Sequence, residues 1–221
     1  MLFERLVVHD TGDTAGAALN MAIDESLLEN AAAEPVLRFY GWARPSLSFG
    51  YFGRFADVAA EAARRDIVRR WTGGGIVLHG DDLTYSLMTP AGDPASRLGP
   101  PAIYAALHEA IRLALLAEGC ETRLAAVGAP RISDACFANP VRFDLLLDGR
   151  KVAGAAQRRT RRGFLHQGSI QVPHLSERFR ERFASGLAGN VEWGKLPAPV
   201  IERATTLVSE KYATATWLHR C

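Results

Sequence analysis

Two side chains near the middle of the chain could carry out covalent chemistry: the thiol of Cys136 and the amine of Lys151. A thiolate is the reactive form of cysteine, and a nearby ammonium group favours that form. Cys136 stands in a polar segment, Ser133–Pro140, fifteen residues before Lys151. If the fold brings the two side chains together, they make a workable nucleophile pair. The alternative interpretation of Cys136 is a half-buried loop cysteine.

Lys151 is unusual because the chain uses arginine for almost every other cation. Only Lys151, Lys195 and Lys211 are lysines among the 26 basic residues. Arginine keeps its proton near neutral pH, whereas the surroundings of a lysine can tune its proton affinity. A solitary mid-chain lysine is therefore a candidate for chemistry, and a solvated strand lysine is the ordinary alternative.

A glycine run lies between two apolar segments in the first half of the chain. Gly73, Gly74 and Gly75 follow Arg69-Arg70-Trp71-Thr72 and precede Ile76-Val77-Leu78-His79. Glycines remove the side-chain wall and free backbone N–H groups, so such a loop can wrap an acyl chain or cradle a phosphate. The segment matches neither the dinucleotide fingerprint nor the phosphate loop that ends in Gly-Lys-Ser/Thr. A glycine-rich hairpin is the simpler interpretation.

Other basic and histidine side chains admit two interpretations each. His79 and His166 could orient a substrate or a catalytic group, or could be structural. They show no metal-ligand spacing with the cysteines, so no metal site is predicted. Four arginines fall within the five residues from Arg158 to Arg162. This cluster predicts either a solvated turn or a docking site for an acidic partner.

Hydrophobic periodicity predicts the elements that must position these residues. Asp148-Gly149 is a strong signal for a two-residue hairpin turn, so Lys151 begins a strand just after a tight turn. Two stretches rich in Pro and Gly, Thr89–Pro101 and Gly186–Pro199, are predicted to be surface loops. Helices are predicted over Ala17–Asn30, Pro101–Glu118, Ala56–Arg65, Leu175–Ala184 and part of the last 25 or so residues. Strands are predicted over Leu2–His9, Pro35–Tyr40, Ser46–Tyr51, Ile67–Arg70, Ile76–His79, Thr84–Met88, Phe143–Leu147, Lys151–Gln157 and Phe164–Val172.

The clustering of strands and helices indicates an α+β fold, with a mixed or antiparallel sheet flanked by helices. A chain of 221 residues with 48% hydrophobic residues is expected to form one domain over residues 1–221. The net charge of +2 is too small to suggest a nucleic-acid partner, and no apolar run is long enough to span a membrane. An odd count of three cysteines favours reduced thiols, and a cytoplasmic location is expected.

The order of several motifs resembles the biotin/lipoate protein ligase superfamily, which includes the lipoyl transferases. The segments that carry the resemblance are Asn20-Met-Ala-Ile-Asp-Glu, Arg38-Phe-Tyr-Gly-Trp, Leu47-Ser-Phe-Gly-Tyr-Phe, Val68-Arg-Arg with Thr72-Gly-Gly, and Leu78-His with Leu83-Thr-Tyr-Ser. From Cys136-Phe through Gly149-Arg-Lys-Val-Ala-Gly to His166-Gln-Gly-Ser-Ile the chain is most similar to cysteine-dependent octanoyltransferases. The resemblance implies a fold like that of class II biotin/lipoate ligases.

The octanoyltransferase resemblance implies a function without a cofactor. Cys136 would take octanoyl from an acyl carrier protein as a thioester and yield it to a lysine of a lipoyl carrier domain. The carrier would resemble the glycine cleavage H protein or a dehydrogenase E2 domain. Lys151 would promote the thiolate and assist proton transfer. The residues implied to bind substrate are Arg69, Arg70, Thr72, Gly73, Gly74, Gly75, His79, Gly154, Ala155 and His166.

The glycine run itself looks more like that of ATP-dependent lipoate-protein ligases. In a ligase, Lys151 would contact an acyl-adenylate, the loop would hold its phosphate, ATP and magnesium would be needed, and Cys136 would be a bystander. Many such ligases carry a further C-terminal domain, but only about 50 residues follow the shared region, so no separate accessory domain is expected. A partner chain could supply one. A non-catalytic acyl- or carrier-binding protein is the third hypothesis, and biotin ligation is less favoured.

Overall fold

The computed structural model describes residues 1–30, 34–128 and 140–220. Helices and strands alternate irregularly along these ranges. The helices are α1 (Ala17–Asn30), α2 (Pro100–Leu116), α3 (Glu177–Leu187), α4 (Ala198–Leu207) and α5 (Ala215–Leu218). The strands are β1 (Phe3–Asp10), β2 (Val36–Tyr40), β3 (Ser46–Phe49), β4 (Asp66–Arg69), β5 (Val77–His79), β6 (Leu83–Pro90), β7 (Arg123–Leu124), β8 (Leu145–Leu147), β9 (Arg150–Thr160), β10 (Gly163–Ile170) and β11 (Ala188–Trp193).

Eight of these strands form one mixed sheet in the order β11-β1-β2-β6-β10-β9-β8-β7. β1 pairs in parallel with both β11 and β2, whereas the neighbours from β2 onward pair antiparallel. Helices α2 and α3 cover one face of the sheet, and α1 and α4 cover the other, each with its own apolar cluster. The predicted α+β fold with a mixed sheet flanked by helices is confirmed.

A smaller sheet of three strands, β4-β3-β5, holds the glycine run. β4 pairs in parallel with β3, β5 pairs antiparallel with it, and residues 70–76 connect the two outer strands. Gly50, just after β3, lies directly beneath the connection: a Cβ placed there would be 2.0 Å from the Gly74 carbonyl oxygen. The glycine run is therefore a tight connection pressed against the end of a neighbouring strand.

The hairpin predicted at Asp148-Gly149 is confirmed. Asp148 has φ of 49° and Gly149 has φ of 79°, so both turn residues adopt the left-handed conformation that a type I′ turn requires. Leu147 pairs with Arg150 across the turn. Lys151 thus stands second in β9, with its position fixed by a two-residue connection.

Two predicted elements differ from the structure. Ala56–Arg65 was predicted to be a helix, but the segment forms two short 3₁₀ turns, Phe55–Asp57 and Ala59–Glu61. Only Val58 contributes a buried side chain there, so no apolar stripe supports a longer helix. The predicted surface loop Gly186–Pro199 contains β11, an edge strand whose mostly exposed residues hide the usual alternation. Within the described ranges, every helix is too short or too polar to cross a membrane.

Candidate active site

Lys151 extends its side chain forward along β9 to Gly154 instead of into solvent. Its side chain is 2% exposed, and its Nζ lies 2.8 Å from Oδ2 of the fully buried Asp144. The side chain rests against Gly154, where an added Cβ would lie 2.5 Å from Nζ. Gly154 lines the channel described below. The amine therefore lies directly behind one wall of that channel.

A narrow channel runs between the small sheet and strands β9 and β10. Its empty volume is about 400 Å³, part of which is open to solvent. Apolar and aromatic side chains are prominent in the wall, and a few polar groups are placed among them, as in sites that bind an apolar ligand in one orientation. The lining includes Met21, Tyr40, Trp42, Arg70, Val77, His79, Gly154, Ala155 and Gln167.

Arg70 holds the glycine run in place from inside the channel. Its Nη2 donates to the carbonyl oxygens of Gly73, at 3.0 Å, and Gly75, at 2.8 Å. Gly74 between them has φ of 88° and lies against the Arg70 guanidinium. The hydroxyl of Thr72, the residue before the glycine run, donates to Gln167 Oε1 at 2.7 Å. The loop is thus fixed by an arginine on one side and by β10 on the other.

A chain of hydrogen bonds leads from Arg70 to a buried aspartate. Arg70 Nη1 donates to Ser48 Oγ at 2.7 Å, and Ser48 Oγ lies 2.6 Å from His79 Nε2. His79 Nδ1 lies 2.9 Å from Asp82 Oδ2. Burial lowers the pKa of His79, so the imidazole is neutral at neutral pH, and these directions fit a proton on Nδ1. His79 therefore presents an uncharged ring to the channel.

The ring of His79 is stacked on Trp42 with centroids 4.0 Å apart. The indole nitrogen of Trp42 donates to Thr84 Oγ1 at 2.8 Å, which satisfies its one polar atom. The pair forms a flat, uncharged surface in the channel wall. Such a surface suits the hydrocarbon part of a ligand, because it carries no unpaired polar group.

Helix α1 supplies a buried carboxylate that orders the opposite wall. Asp24 accepts hydrogen bonds from Arg38 Nη1, at 2.8 Å, and from Gln167 Nε2, at 2.7 Å. Tyr40 and Ser86 also donate to it. Asp24 thereby fixes Gln167, which in turn holds Thr72 of the glycine connection. Asp24 stands in the motif Asn20-Met-Ala-Ile-Asp-Glu, but no local pattern indicated this role, because its partners lie on three different strands.

The predicted site residues separate into four groups, the last of which consists of Arg69 and His166. Arg70, Gly74, His79, Gly154 and Ala155 line the channel, and the glycine connection brings Thr72, Gly73 and Gly75 beside it. Lys151 lies behind the wall. Cys136 lies outside the described residues.

Arg69 and His166 do not face the channel, although they were expected to bind substrate. Arg69 is buried on the other side of β4, where its guanidinium donates to carbonyl oxygens of Trp217, Tyr51, Gly53, Leu218 and Arg220. Adjacent strand residues point to opposite faces, so Arg70 faces the channel while Arg69 faces the C-terminal segment. The same alternation places His166 behind β10, in contact with Tyr85 and Tyr104, whereas Gln167 faces the channel.

The arginine cluster at the β9–β10 turn is partly used within the molecule. The Arg158 guanidinium lies over the rings of Trp71 and Tyr51, at 4.6 and 4.7 Å, and Arg159 donates to the Ser96 carbonyl at 2.7 Å. Arg162 lies 3.5 Å from Glu29. Each of these three residues therefore has an internal role in the structure. Among the described residues, no group of His, Cys, Asp and Glu is arranged to hold a metal ion.

Comparison with known proteins identifies relatives of this chain. Residues 16–211 match the family model of the lipoyl protein ligase A/B catalytic domain. Octanoyltransferase LipM of Anoxybacillus flavithermus is 36% identical over 184 residues, which cover 76% of this chain and 65% of the relative. LipM of Geobacillus kaustophilus is 36% identical over 169 residues, which cover 69% of this chain and 60% of the relative. The chain thus spans less than two thirds of the length of these two relatives.

Solved structures share the fold. A lipoate-protein ligase A bound with ATP superposes with a TM-score of 0.74 at 19% identity, covering 98% of both chains. A bipartite lipoate protein ligase from Thermoplasma acidophilum, studied with its E2 lipoyl domain, superposes with a TM-score of 0.67 at 20% identity. That match covers 99% of this chain and 97% of the other. At such identities the likeness shows a common fold.

Proposed function

The chain belongs to the lipoyl protein ligase A/B catalytic domain family, and we propose that it transfers an octanoyl or lipoyl group to the acceptor lysine of a lipoyl carrier domain. The names of its LipM relatives support octanoyl transfer. The observation that carries the proposal is the placement of Lys151, buried against Gly154 at the wall of a channel lined by apolar and aromatic side chains. A carrier of the E2 or glycine cleavage H type is the acceptor, and an acyl carrier protein is the donor.

The proposed reaction moves one acyl group from donor to acceptor in two steps. The thiolate of Cys136 attacks the donor thioester, the donor carbon–sulfur bond breaks, and the donor sulfur leaves as a thiolate that takes a proton from solvent. The acceptor amine then attacks the thioester on Cys136, an amide bond forms, the cysteine sulfur leaves as a thiolate, and the proton lost by the amine passes to solvent. The Lys151 ammonium favours the thiolate at both stages. The roles of Cys136 and Lys151 rest on their match to the octanoyltransferase motifs.

The channel wall supports binding of the acyl chain. The stacked Trp42 and His79 rings, with Met21 and Val77, offer apolar surface to a hydrocarbon chain. Arg70 donates hydrogen bonds to carbonyl oxygens of the glycine run and to Ser48, so it shapes the loop as well as the channel. Burying eight carbons in such a wall would stabilise the bound acyl group by about 0.8 kcal/mol per methylene.

ATP-dependent ligation is the second candidate, because the uninterrupted Gly73-Gly74-Gly75 run resembles that of ligases. Among the residues that the structure describes, the buried carboxylates nearest the channel do not fit a resident magnesium ion. Asp24, Asp82 and Asp144 each accept from several buried protein donors, which occupy the oxygens that a metal ion would need.

Mass spectrometry of the intact protein separates the two routes. After incubation with octanoyl-acyl carrier protein and no ATP, we expect one octanoyl adduct that hydroxylamine removes. Cys136→Ser should abolish the adduct. Cys120→Ser is the matched control and should retain it, because burial raises the pKa of the half-buried Cys120 thiol.

Two results would overturn thioester transfer. One is an adduct that persists in Cys136→Ser, and the other is modification of the carrier domain from free octanoate only when ATP and magnesium are added. The second result would establish the ligase route. Carrier modification that is lost in Lys151→Ala would exclude a protein that only binds acyl groups or carriers.

A further inference from the structure

Asp144 is a fully buried carboxylate to which the proposed reaction assigns no role. Its Oδ2 lies 2.8 Å from Lys151 Nζ and accepts the backbone N–H of Val141 at 2.7 Å. Its Oδ1 accepts the hydroxyl of Tyr104. Burying a carboxylate is costly unless such partners compensate it. The carboxylate therefore joins Lys151 to the chain at Val141, five residues after Cys136 in the sequence.

Tyr104 connects this carboxylate to the channel wall. Its hydroxyl oxygen accepts the backbone N–H of Ala155 at 2.9 Å, and its proton is directed to Asp144. Ala155 lines the channel beside Gly154. Burial, with the charge of Asp144, raises the pKa of Tyr104 well above its ordinary value, so the phenol remains a donor. One hydroxyl thus ties the position of Asp144 to the backbone of the channel wall.

The backbone before Asp144 is held in a conformation that favours glycine. Phe143 has φ of 73°, and a non-glycine residue in this region is strained. His108 Nδ1 binds the Phe143 carbonyl at 2.6 Å, and the Asp144 carbonyl accepts from Ala125 N at 2.8 Å. Strained residues of this kind cluster at functional sites. The strain is maintained by contacts that aim one side chain, Asp144, at Lys151.

We propose that Asp144, oriented by Tyr104, is a positioning residue that holds Lys151 as an ammonium group against Gly154. The inference rests on the proposed function, because it assigns to Asp144 the task of setting the distance between that charge and the acyl channel. Without the Asp144 carboxylate, the lysine would lose the ion pair that holds its Nζ, and its flexible side chain would move away from Gly154. That movement would take the charge away from the channel wall.

Steady-state acyl transfer to a carrier domain tests the proposal with two variants and one control. Asp144→Asn keeps the size of the side chain and removes its charge, and Tyr104→Phe removes only the hydroxyl that orients it. We expect kcat to fall about 100-fold in Asp144→Asn and about 10-fold in Tyr104→Phe, with KM for the acyl donor changed less than about 2-fold, since small misplacements of a reacting group act on the chemical step.

Tyr85→Phe is the matched control for these variants. Tyr85 is a buried tyrosine in the same region, and its hydroxyl lies 3.4 Å from His166 Nε2. The control should keep kcat within about 2-fold of the original value. Thermal unfolding of each variant establishes that it folds. A folded Tyr104→Phe and Asp144→Asn pair with unchanged kcat would overturn the proposal.

The reactivity of Lys151 gives a second measurement that needs no turnover. An N-hydroxysuccinimide acetate reagent should label exposed Lys195 readily and Lys151 hardly at all in the original protein. Relative to Lys195, labelling of Lys151 should rise at least about 10-fold in Asp144→Asn and several-fold in Tyr104→Phe, but not in Tyr85→Phe. Equal labelling of Lys151 in all four proteins would overturn the positioning role.

The two measurements separate this inference from the proposed function. If Lys151→Ala transfers octanoyl at the original rate, the proposed function of Lys151 fails. The labelling result would still show whether Asp144 and Tyr104 hold the lysine. If labelling is unchanged while Lys151→Ala is inactive, the proposed function stands and the positioning role is excluded.

Discussion

Gly154 makes room for the lysine at the channel wall. A Cβ at this position would lie 2.3 Å from Lys151 Cε and 2.5 Å from Nζ. Both atoms are at the far end of a flexible side chain, so the chain can fold around a methyl group by moving the lysine. The requirement for glycine at this position is thus a requirement of the site more than of the fold.

Gly154→Ala should therefore separate activity from stability. We expect kcat for acyl transfer to fall about 100-fold, because the ammonium is displaced. The free energy of unfolding should fall by only about 1–2 kcal/mol. Gly92→Ala is the control, since an added Cβ there meets nothing within 4 Å. Full activity in Gly154→Ala would contradict the importance that we give to the placement of Lys151.

The sequence predicted where Lys151 lies but not the residues that hold it. A solitary lysine after an Asp-Gly turn is a local pattern, and Lys151 does stand at the start of the strand that the pattern predicts. Asp144 and Tyr104 are 40 residues apart, and their contact depends on how α2 packs on the sheet. Short-range patterns contain no information on such a contact. The same applies to Asp24, whose partners lie on three different strands.

At the scale of elements, the end of β3 determines where the glycine connection lies. The three atoms nearest to a Cβ at Gly50 are all backbone atoms of that connection: it would lie 2.0 Å from the Gly74 carbonyl oxygen and 2.7 Å from the Gly73 carbonyl carbon. Backbone atoms cannot rotate away as a side chain can. A larger residue at position 50 must move the whole connection.

Gly50→Ala should weaken acyl binding by displacing that connection. We expect KM for the acyl donor to rise about 10-fold or more and the unfolding free energy to fall by about 1–3 kcal/mol. Gly80→Ala, in the turn after β5, has open space around its Cβ and should change neither quantity. A Gly50→Ala variant with the original KM would show that the connection does not define the channel.

Arg69 connects the small sheet to the C-terminal segment. Its guanidinium donates to five backbone carbonyls, three of them in residues 217–220, and Trp217 returns a hydrogen bond to the Arg69 carbonyl at 3.0 Å. A lysine has three donors on one nitrogen and cannot reproduce this fork. The side chain therefore serves as an anchor for α5.

Arg69→Lys should loosen the C-terminal segment. We expect a loss of about 3 kcal/mol in unfolding free energy, because several buried carbonyls lose their donors. Hydrogen exchange should become faster at residues 215–220 and remain unchanged in β9 and β10. Arg112→Lys, at a partly exposed pair with Glu109 on one helix, is the control and should cost less than about 0.5 kcal/mol. Unchanged exchange at residues 215–220 would contradict the anchoring role.

Elements with strong local signals were predictable, and those that depend on the sheet were not. The boundaries of α1 and the Asp148-Gly149 turn follow from apolar spacing and from residues that tolerate positive φ. β11 has few buried residues, and it forms because β1 offers a parallel edge from the other end of the chain. The first turn of α1 is likewise capped across the fold, by Asp66 Oδ2 at 3.0 Å from Ala17 N.

At the scale of the whole molecule, two fully buried histidines lie behind the site, between α2 and the sheet. Burial lowers the pKa of His108 to about 4 and that of His166 to about 3. Tyr104 contacts both rings, and among the described residues His108 Nε2 and His166 Nδ1 have no hydrogen-bond partner. Both imidazoles are therefore neutral in the folded protein near neutral pH, and protonation of either would bury a charge.

These histidines should make the fold sensitive to acid. Below a pH of about 6.5 the unfolded chain binds a proton at each histidine that the folded chain does not yet bind, so unfolding becomes more favourable as the pH falls towards about 4. While both sites contribute, the unfolding free energy should fall by up to about 2.7 kcal/mol per pH unit. Urea unfolding between pH 7 and pH 4.5 measures this slope. His166→Gln should reduce it by about 1.4 kcal/mol per pH unit, whereas the exposed His174→Gln should leave it unchanged. If His166→Gln has the same slope as the original protein, the prediction fails. That result would mean that the folded protein binds a proton at His166 as readily as the unfolded chain does.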